Sequence, residues 1–377
     1  MIYLDNAAST PMHPHVIAAM QSAMDSLAGN PSSVHQMGRQ VKMRLTEARE
    51  RLADWLHCQS TEIVFTSGGT EANHMALFSA FLAGRKRTDR PHFLTTAIEH
   101  HAVLESLELI QDLGADITLL PASLGGRISV DALLDAIRPQ TVCVSLMMVN
   151  NELGSRLPVE EAVQRIKSIR PDIHLHTDAV QALPNLRLSL SSLGVDSAAF
   201  SAHKIHGPKG IGALYIRKGQ PFFSSLRGGQ QERKRRAGTE NILGIIGFAE
   251  AVKMLREEWE IRQEKLYRLN RLMRSVFQQI PDCEVLSPDD AVPSILSTAF
   301  SGTSSSTMLM QLDLAGFAAS AGSACTAGVI AQSHVLSACG YPENIRKSAI
   351  RWSLSAMNTE SEIEKLKDWL QGHFKSS

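Results

Sequence analysis

A lysine, Lys204, stands where a predicted buried strand ends, and this position is the first indication of chemistry in the chain. The apolar run 195–200 predicts the strand, and a small, cationic turn, SAHKIHGPKG, follows at residues 201–210. An unpaired ammonium group is costly to bury. Lys204 therefore either pairs with a carboxylate in a structural ion pair, or is a partly desolvated, nucleophilic amine that can form a Schiff base.

A glycine-rich turn, SGGTEAN at residues 67–73, lies between a predicted strand at 62–66 and a predicted helix at 72–82. Glycine lets the backbone approach a ligand closely, and the free N–H groups at the start of a helix attract an anion such as phosphate. Thr70 adds a hydroxyl donor. The turn therefore predicts a phosphate site, with the alternative that it only connects two elements.

An aspartate, Asp178, closes the strand predicted at 173–177. It is either the N-cap of the next helix or a carboxylate that faces a ligand. Only one further helix and one strand separate Asp178 from Lys204. Both side chains are therefore expected at the carboxyl edge of the same parallel sheet.

A phosphate cradle, an aspartate and a lysine at one sheet edge together suit one cofactor, pyridoxal phosphate. This cofactor needs a cup for its phosphate, a lysine for its aldehyde and a carboxylate that keeps the ring nitrogen protonated. The carboxylate matters because a nearby negative charge raises the pKa of the pyridinium nitrogen. The protonated ring then acts as the electron sink for a substrate carbanion.

Motifs spread along almost the whole chain carry a resemblance to a known family. They are YLDNAA at 3–8, GNPSS at 29–33, TSGGTEAN at 66–73, NNELG at 150–154, SAHK at 201–204, RAGTEN at 236–241, GSACT at 322–326 and RWSL at 351–354. The chain resembles the fold type I pyridoxal-phosphate enzymes of the class V aminotransferase group, and within that group the NifS/IscS-type cysteine desulfurases. The resemblance implies an α/β fold in which a large domain with a mainly parallel seven-stranded sheet is joined to a smaller α+β domain.

The resemblance also implies which residues bind the cofactor. Lys204 would hold it through a Schiff base, Asp178 would face the pyridine nitrogen and Gln181 the phenolic oxygen. His100 would stack on the ring and help to move protons as a catalytic residue. Four residues of one subunit would bind the phosphate, namely Gly69, Thr70, Ser201 and His203. Thr239 would reach the same phosphate from the partner subunit.

Three more residues would act on the substrate, L-cysteine. Asn150, which would also contact the cofactor, and Arg351 would orient it, Arg351 through a bidentate contact with the α-carboxylate. Without its motif, an ion pair at the domain interface would be the favoured explanation of Arg351. The Cys325 thiolate would attack the sulfur of the bound cysteine and leave alanine and an enzyme persulfide. Because an ordinary thiol has a pKa of ~8.5, His100 or the substrate adduct would have to accept its proton.

The implied activity is a cysteine desulfurase that passes sulfur to an acceptor protein, either an iron–sulfur scaffold or another sulfur carrier for thio-cofactor assembly. A selenocysteine lyase and another class V aminotransferase or lyase on the same scaffold stay open as alternatives. A non-catalytic binding protein that keeps the fold is the alternative from a different class. The family also implies a homodimer with shared active sites.

Charge and cysteine content exclude several other functions. The 38 basic and 38 acidic side chains cancel, so neither nucleic acid nor a membrane surface is expected as a partner. No apolar run approaches ~18 residues, and the first residues do not resemble a signal peptide. The cysteines are five in number with no close pair, so neither disulfides nor a metal site is expected. We expect a cytoplasmic protein in which four cysteines are inert packing groups, namely Cys58, Cys143, Cys283 and Cys339.

The order of predicted elements gives the domain organisation. Strands are predicted at 62–66, 92–96, 117–120, 141–149, 173–177, 195–200 and 211–216. Their alternation with helices is typical of a mainly parallel sheet that is covered on both faces. One long amphipathic helix is predicted at 248–280. We expect a large cofactor-binding domain at 15–256 and a small domain formed by 1–14 and 257–377, which carries the Cys325 segment.

Overall fold

The computed structural model describes residues 1–322 and 332–375 as alternating strands and helices. The strands are β1 Ile2–Tyr3, β2 Ile63–Thr66, β3 His92–Thr96, β4 Asp116–Leu120, β5 Thr141–Ser145, β6 His174–Asp178, β7 Ser197–Ser201, β8 Gly212–Ile216, β9 Cys283–Val285, β10 Ile295–Phe300, β11 Phe317–Ala318 and β12 Ala349–Ser353. The helices are α1 Pro14–Ser26, α2 Gln36–Trp55, α3 Gly69–Gly84, α4 His101–Asp112, α5 Val130–Asp135, α6 Val159–Ile169, α7 Leu190–Leu193, α8 Ile242–Glu257, α9 Trp259–Gln278, α10 Ser305–Leu314, α11 His334–Ala338, α12 Glu343–Ser348 and α13 Glu360–Lys375.

A seven-stranded, mainly parallel sheet forms the centre of the fold, as the sequence predicts. Its spatial order is β2-β8-β7-β6-β5-β3-β4, and only β8 runs antiparallel to its two neighbours. The strands β5 and β7 are buried along their whole length. Because such strands are covered on both faces, they are continuous apolar or small-residue runs rather than alternating ones.

Alternate residues of β8 pack into different apolar clusters, which shows that helices cover both faces of the sheet. Ala213 and Tyr215 belong to the cluster that includes α8, whereas Leu214 and Ile216 belong to the one that includes α3. The longest helices, α2 and α9, have 20 residues each. Within the described parts of the chain, no helix combines the length and the apolarity needed to cross a membrane.

A second apolar cluster lies around the antiparallel sheet β12-β10-β9. The rings of Phe277, Phe300 and Trp352 meet there at centroid distances of 5.2 to 6.5 Å. Leu4 belongs to the same cluster, so the start of the chain packs with its last third. This cluster supports the division into a large domain at 15–256 and a small one at 1–14 and 257–377, and that division stays a proposal.

Two elements differ from the sequence-based expectation. The predicted helix at 248–280 is two helices, separated at Glu258, where φ is −101° and ψ is 3°. The sequence has no glycine or proline at this break, and its amphipathic pattern continues across it, so the pattern predicts one helix instead of two. The strand predicted at 141–149 ends at Ser145. Beyond it, the N–H groups of Leu146 and Met148 still donate to carbonyls of β6, whereas the Met147 N–H donates to the buried carboxyl of Glu99.

Three successive residues just before the RAGTEN motif have left-handed backbone angles. Glu232, Arg233 and Lys234 have φ of 44°, 56° and 65°, a conformation that costs energy for residues other than glycine. The buried Glu232 carboxylate accepts two hydrogen bonds of 2.6 Å from Arg49 and one of 2.9 Å from the N–H of Phe65. This bidentate ion pair holds the strained segment against α2 and β2.

We predict that Arg49→Met lowers the free energy of unfolding by about 3–5 kcal/mol, because it leaves the Glu232 carboxylate buried without its counter-ion. Urea unfolding followed by circular dichroism measures the change. Arg51→Met on the same helix is the control: its pair with Glu250 is 3.4 Å long and the Arg51 side chain is 47% exposed. That variant should lose less than about 1 kcal/mol. Equal losses in the two variants would contradict a special role for the buried pair.

Candidate active site

A cavity of about 260 Å³ opens where β6 and β7 end. Nine of the residues predicted for the site line it, which are Gly69, Thr70, His100, Asp178, Gln181, Ser201, His203, Lys204 and Arg351. They come from the start of α3, the start of α4, the ends of β6 and β7, and β12. The structure thus brings together residues that are up to 282 positions apart (351 − 69).

Lys204 follows β7 in a short helical turn, and the N-terminal segment of the chain holds its amine. The Nζ atom donates to the carbonyl oxygens of Ala7 at 2.6 Å and Ala8 at 2.8 Å. Gln181 Nε2 donates to the same Ala7 oxygen at 2.9 Å. These contacts with two backbone carbonyls hold the amine at the cavity, where an amine that forms a Schiff base would have to lie.

Asp178 ends β6 with its side chain 6% exposed. Its Oδ1 accepts a hydrogen bond of 2.9 Å from the N–H of Val180, and its Oδ2 accepts one of 2.7 Å from Asn73 Nδ2. The first contact closes a local turn, and none of the described helices begins there, since the next one, α7, starts at Leu190 with Ser189 as its N-cap. The N-cap interpretation of Asp178 is therefore wrong. The second contact comes from α3 and fixes the carboxyl group beside the cavity, where a carboxylate that faces a ligand would lie.

The start of α3 forms one end of the cavity. A Cβ at Gly69 would lie 2.7 Å from Cγ2 of Val180, so only glycine lets the helix begin this close to the turn after β6. Ser201 and His203 face this end from β7 and the following turn. Burial, followed by the charge of Lys204, lowers the pKa of His203 to about 4, so its imidazole is neutral. Free helix N–H groups with neutral donors make a binding site for an anion.

His100 caps α4 and faces the cavity with a neutral ring. Its Nδ1 accepts a hydrogen bond of 3.0 Å from the N–H of Ala102, so Nε2 carries the ring proton. Burial lowers the pKa of His100, and the positive charge of Lys204 lowers it further against the opposing effect of Asp178. Behind it, burial raises the pKa of Glu99 to about 8. Burial therefore disfavours the charged forms of both His100 and Glu99.

Arg351 lies on β12 and is 2% exposed. Its Nη2 forms an ion pair of 2.9 Å with Asp5, and its Nη1 donates to the carbonyl of Asn151 at 3.0 Å. Its Nε atom is buried and makes no hydrogen bond within the described residues. The guanidinium thus joins the start of the chain to the loop after β5 and also reaches the cavity, so the structural and the substrate-binding interpretation are compatible.

Three predicted site residues are not part of the cavity lining. Asn150 is fully buried and caps its own turn, accepting from the N–H groups of Glu152 and Leu153 at 2.9 Å, and the cavity is lined by Asn151 instead. Thr239 lines a separate cavity of about 130 Å³ beside the start of α3. Cys325 lies outside the described residues. The roles expected for these three residues stay predictions.

The residues on either side of 323–331 lie close to Arg351 and to the buried carboxyl group of Glu152. Ser320 exchanges backbone hydrogen bonds with Arg351, of 3.2 and 2.6 Å. The Ser333 hydroxyl donates to Glu152 Oε2, and a Cβ at Gly322 would lie 2.8 Å from that same oxygen. The chain therefore enters and leaves the Cys325 segment beside the cavity wall that carries Arg351.

Three residues that shape the site have no role in the sequence-based expectation. Asn73 donates to Asp178, and the carbonyls of Ala7 and Ala8 accept from Lys204. Asn73 ends the SGGTEAN motif, and its position on α3 one turn after Gly69 was the available indication. For the two alanines no side-chain signal exists, because their backbone oxygens make the contact.

Comparison with known proteins identifies the family. Residues 2–366 match the family described as Aminotransferase class-V. The chain belongs to the class-V aminotransferase family. Within this family it is 39% identical over 372 residues to a cysteine desulfurase IscS of Dictyoglomus turgidum, covering 98% of this chain and 93% of that protein. It is 38% identical over 366 residues to a cysteine desulfurase IscS of Methanosarcina thermophila, covering 97% and 90%. A solved structure named NifS-like protein superposes with a TM-score of 0.94 at 33% identity, covering all of both chains.

Members of this family depend on pyridoxal phosphate, and the cavity fits that cofactor. The start of α3, with no Cβ at Gly69, suits the phosphate, and the buried Asp178 suits a protonated ring nitrogen. Lys204 supplies the amine for the aldehyde. The residues that would hold the cofactor are Gly69, Thr70, Ser201, His203, Asp178, Gln181 and Lys204.

We predict that Lys204→Ala abolishes the visible absorbance of the purified protein, because no amine remains to bond the cofactor aldehyde. The absorbance spectrum after incubation with pyridoxal phosphate and desalting measures this. Lys209→Ala is the control, since Lys209 is an exposed cation on the same turn, and its spectrum should equal that of the wild type. A Lys204→Ala protein that keeps the wild-type spectrum would rule out the attachment.

Proposed function

We propose that this enzyme is a cysteine desulfurase that converts L-cysteine to L-alanine and transfers the sulfur to its own Cys325. The observation that carries the proposal is the cavity with Lys204, Asp178 and Arg351 in a chain that matches cysteine desulfurases over nearly its whole length. Because the curated relatives carry this name, a selenocysteine lyase or another class V aminotransferase or lyase is not favoured.

Each residue of the cavity would have a separate role in the reaction. Pyridoxal phosphate, when bound, supplies the electron sink for negative charge at the substrate α-carbon. Lys204 would hold the cofactor, and Asp178 would supply the charge that faces the ring nitrogen. His100 would donate a proton at Nε2, because the Ala102 N–H occupies its Nδ1. This orientation favours the substrate adduct over His100 as the acceptor of the Cys325 proton.

Arg351 would bind the α-carboxylate of cysteine. Its guanidinium reaches the cavity, and the ion pair with Asp5 uses only one of its nitrogen atoms. A planar guanidinium forms charge-assisted hydrogen bonds with a carboxylate, which give both affinity and orientation. The substrate would then present its sulfur on the side of the cavity where the Cys325 segment begins and ends.

Cys325 would take the sulfur by nucleophilic attack. The Cys325 thiolate attacks the substrate sulfur, a sulfur–sulfur bond forms, and the carbon–sulfur bond breaks with its electron pair left on carbon. That carbon then takes up a proton, so the products are alanine and a Cys325 persulfide. Among the other cysteines, burial raises the pKa of Cys283 to about 12, which makes it a poor nucleophile at neutral pH.

We further propose a homodimer that works in the cytoplasm and passes sulfur to an acceptor protein for iron–sulfur cluster or other thio-cofactor assembly. The position of Thr239 in a separate cavity supports a shared site, because this residue would then bind the phosphate in the partner's cavity. The IscS name of the relatives supports an iron–sulfur scaffold or a sulfur carrier as the acceptor.

We predict that Arg351→Ala raises the Michaelis constant for cysteine by about ten- to a hundredfold, since hydrogen bonds to a charged group contribute roughly 1.5–3 kcal/mol. Steady-state kinetics of alanine release measure this, and the cofactor spectrum should stay normal. Asp5→Asn is the matched control, because it removes the same ion pair and keeps the guanidinium. An equal rise in both variants would leave Arg351 with a structural role alone.

We predict that Cys325→Ser loses cysteine turnover by about a thousandfold or more, because a hydroxyl is a poor nucleophile toward sulfur. Cofactor binding should be unchanged. Alanine and sulfide released in the presence of a reducing thiol measure turnover, and mass spectrometry should find one added sulfur on the Cys325 peptide of the wild type. Cys283→Ser is the control and should keep full activity. Full desulfuration by Cys325→Ser would refute the proposed sulfur transfer.

A further inference from the structure

A chain of four hydrogen bonds runs from the cavity carboxylate of Asp178 into the interior of the sheet. Asn73 Nδ2 donates to Asp178 Oδ2 at 2.7 Å, and Asn73 Oδ1 lies 2.9 Å from His176 Nε2. Ser197 Oγ lies 2.8 Å from His176 Nδ1 and also 2.8 Å from His174 Nε2. Asn73, His176, Ser197 and Asp178 are all less than 7% exposed.

The sequence of two neighbouring strands creates this chain. In β6, HLHTD, the side-chain period of two places His174, His176 and Asp178 on one face of the sheet. Ser197 lies directly opposite His176 on the parallel strand β7. Asn73 completes the chain from α3, which packs on that face. Secondary structure therefore brings five polar side chains into one line.

The direction of every hydrogen bond follows from the contact between Asn73 and Asp178. Asp178 Oδ2 accepts from Asn73 Nδ2, so Asn73 turns its carbonyl oxygen toward His176. His176 must then carry its proton on Nε2, because an unprotonated Nε2 would place two acceptors 2.9 Å apart. Its Nδ1 is left as an acceptor for the Ser197 hydroxyl.

The last bond follows by the same reasoning. The single hydroxyl proton of Ser197 is already donated to His176, so Ser197 Oγ accepts from His174, which carries its proton on Nε2. Burial lowers the pKa of His176 to about 3 and that of His174 to about 4, against Asp196, which raises the latter. Both rings are therefore neutral at pH 7, and all four bonds donate toward Asp178.

We propose that His174, Ser197, His176 and Asn73 are positioning residues that form a one-directional hydrogen-bond relay, which holds Asp178 Oδ2 and fixes the orientation of this carboxyl group beside the cavity. Bonds that point the same way polarise one another, and a hydrogen bond to the charged form of a carboxylate favours that form. Lys204 and His100 line the cavity together with Asp178, and Asp178 disfavours the charged form of the fully buried Glu99.

The catalytic consequence of the relay rests on the proposed function, whereas its proton positions do not. If Asp178 faces the ring nitrogen of the cofactor, the relay supports that charge with neutral groups only and adds no second charge beside the cofactor. Weakening the relay should then slow turnover without changing substrate affinity, because Arg351 is not part of it.

The first test reads the proton positions. Nitrogen-15 NMR of histidine-labelled protein, with and without pyridoxal phosphate, should show His174 and His176 as neutral Nε2–H tautomers between pH 6 and 8. The signals are assigned from His174→Gln and His176→Gln variants. A His176 that is an Nδ1–H tautomer or is protonated at pH 7 would overturn the relay, and this reading holds even if the wild type does not desulfurate cysteine.

The second test breaks the relay at Ser197. Ser197→Ala should leave His176 as a mixture of its Nδ1–H and Nε2–H tautomers. It should also lower kcat for cysteine by about two- to tenfold, with an unchanged Michaelis constant. Ser197→Thr keeps the hydroxyl and should restore both properties.

Ser145→Ala is the matched control for that break. Ser145 lies opposite His176 on β5, is 1% exposed, and its hydroxyl makes no hydrogen bond within the described residues. It should behave as the wild type. Equal losses in Ser197→Ala and Ser145→Ala would assign the effect to packing and refute the relay.

Discussion

The N-terminal segment, residues 5–10, connects the groups on which the active site depends. Its Ala7 carbonyl accepts from Lys204, so the amine is held by backbone oxygens that no side-chain substitution removes. Its Asp5 is the counter-ion of Arg351, which reaches the same cavity from β12. A short irregular segment therefore sets the distance between the lysine and the arginine, although these residues lie in different sheets.

The same segment is tied to both sheets. Asn6 Nδ2 donates to the carbonyl of Ser353, the last residue of β12, at 2.8 Å, and Thr10 Oγ1 donates to the carbonyl of His203, just after β7, at 2.8 Å. Buried polar groups must find partners, and each of these bonds satisfies one. Because these bonds join the N-terminal segment to both sheets, residues of both proposed domains are held at one site.

Burial decides which groups of the site carry charge. It lowers the pKa of His100 and of His203 and raises that of Glu99, so three ionisable groups around the cavity are mostly neutral at pH 7. The buried carboxyl group of Asp178 is held in place by hydrogen bonds from the N–H of Val180 and from Asn73 Nδ2. A cavity with few, well-supported charges is suited to bind an anionic cofactor and a zwitterionic substrate in fixed orientations.

The amino-acid sequence by itself determined the elements and their chemistry. Apolar runs of the right length predicted the seven strands, and the side chains that follow them, Asp178 and Lys204, were placed correctly at one edge because parallel strands end together. Tertiary structure alone decided the rest. The break at Glu258 has no local signal, and the contacts of Lys204 with backbone carbonyls leave no trace in residue type. The hydrogen-bond chain from His174 to Asp178 depends on the strand register and on Asn73, which lies 105 positions before Asp178, and no local pattern encodes either.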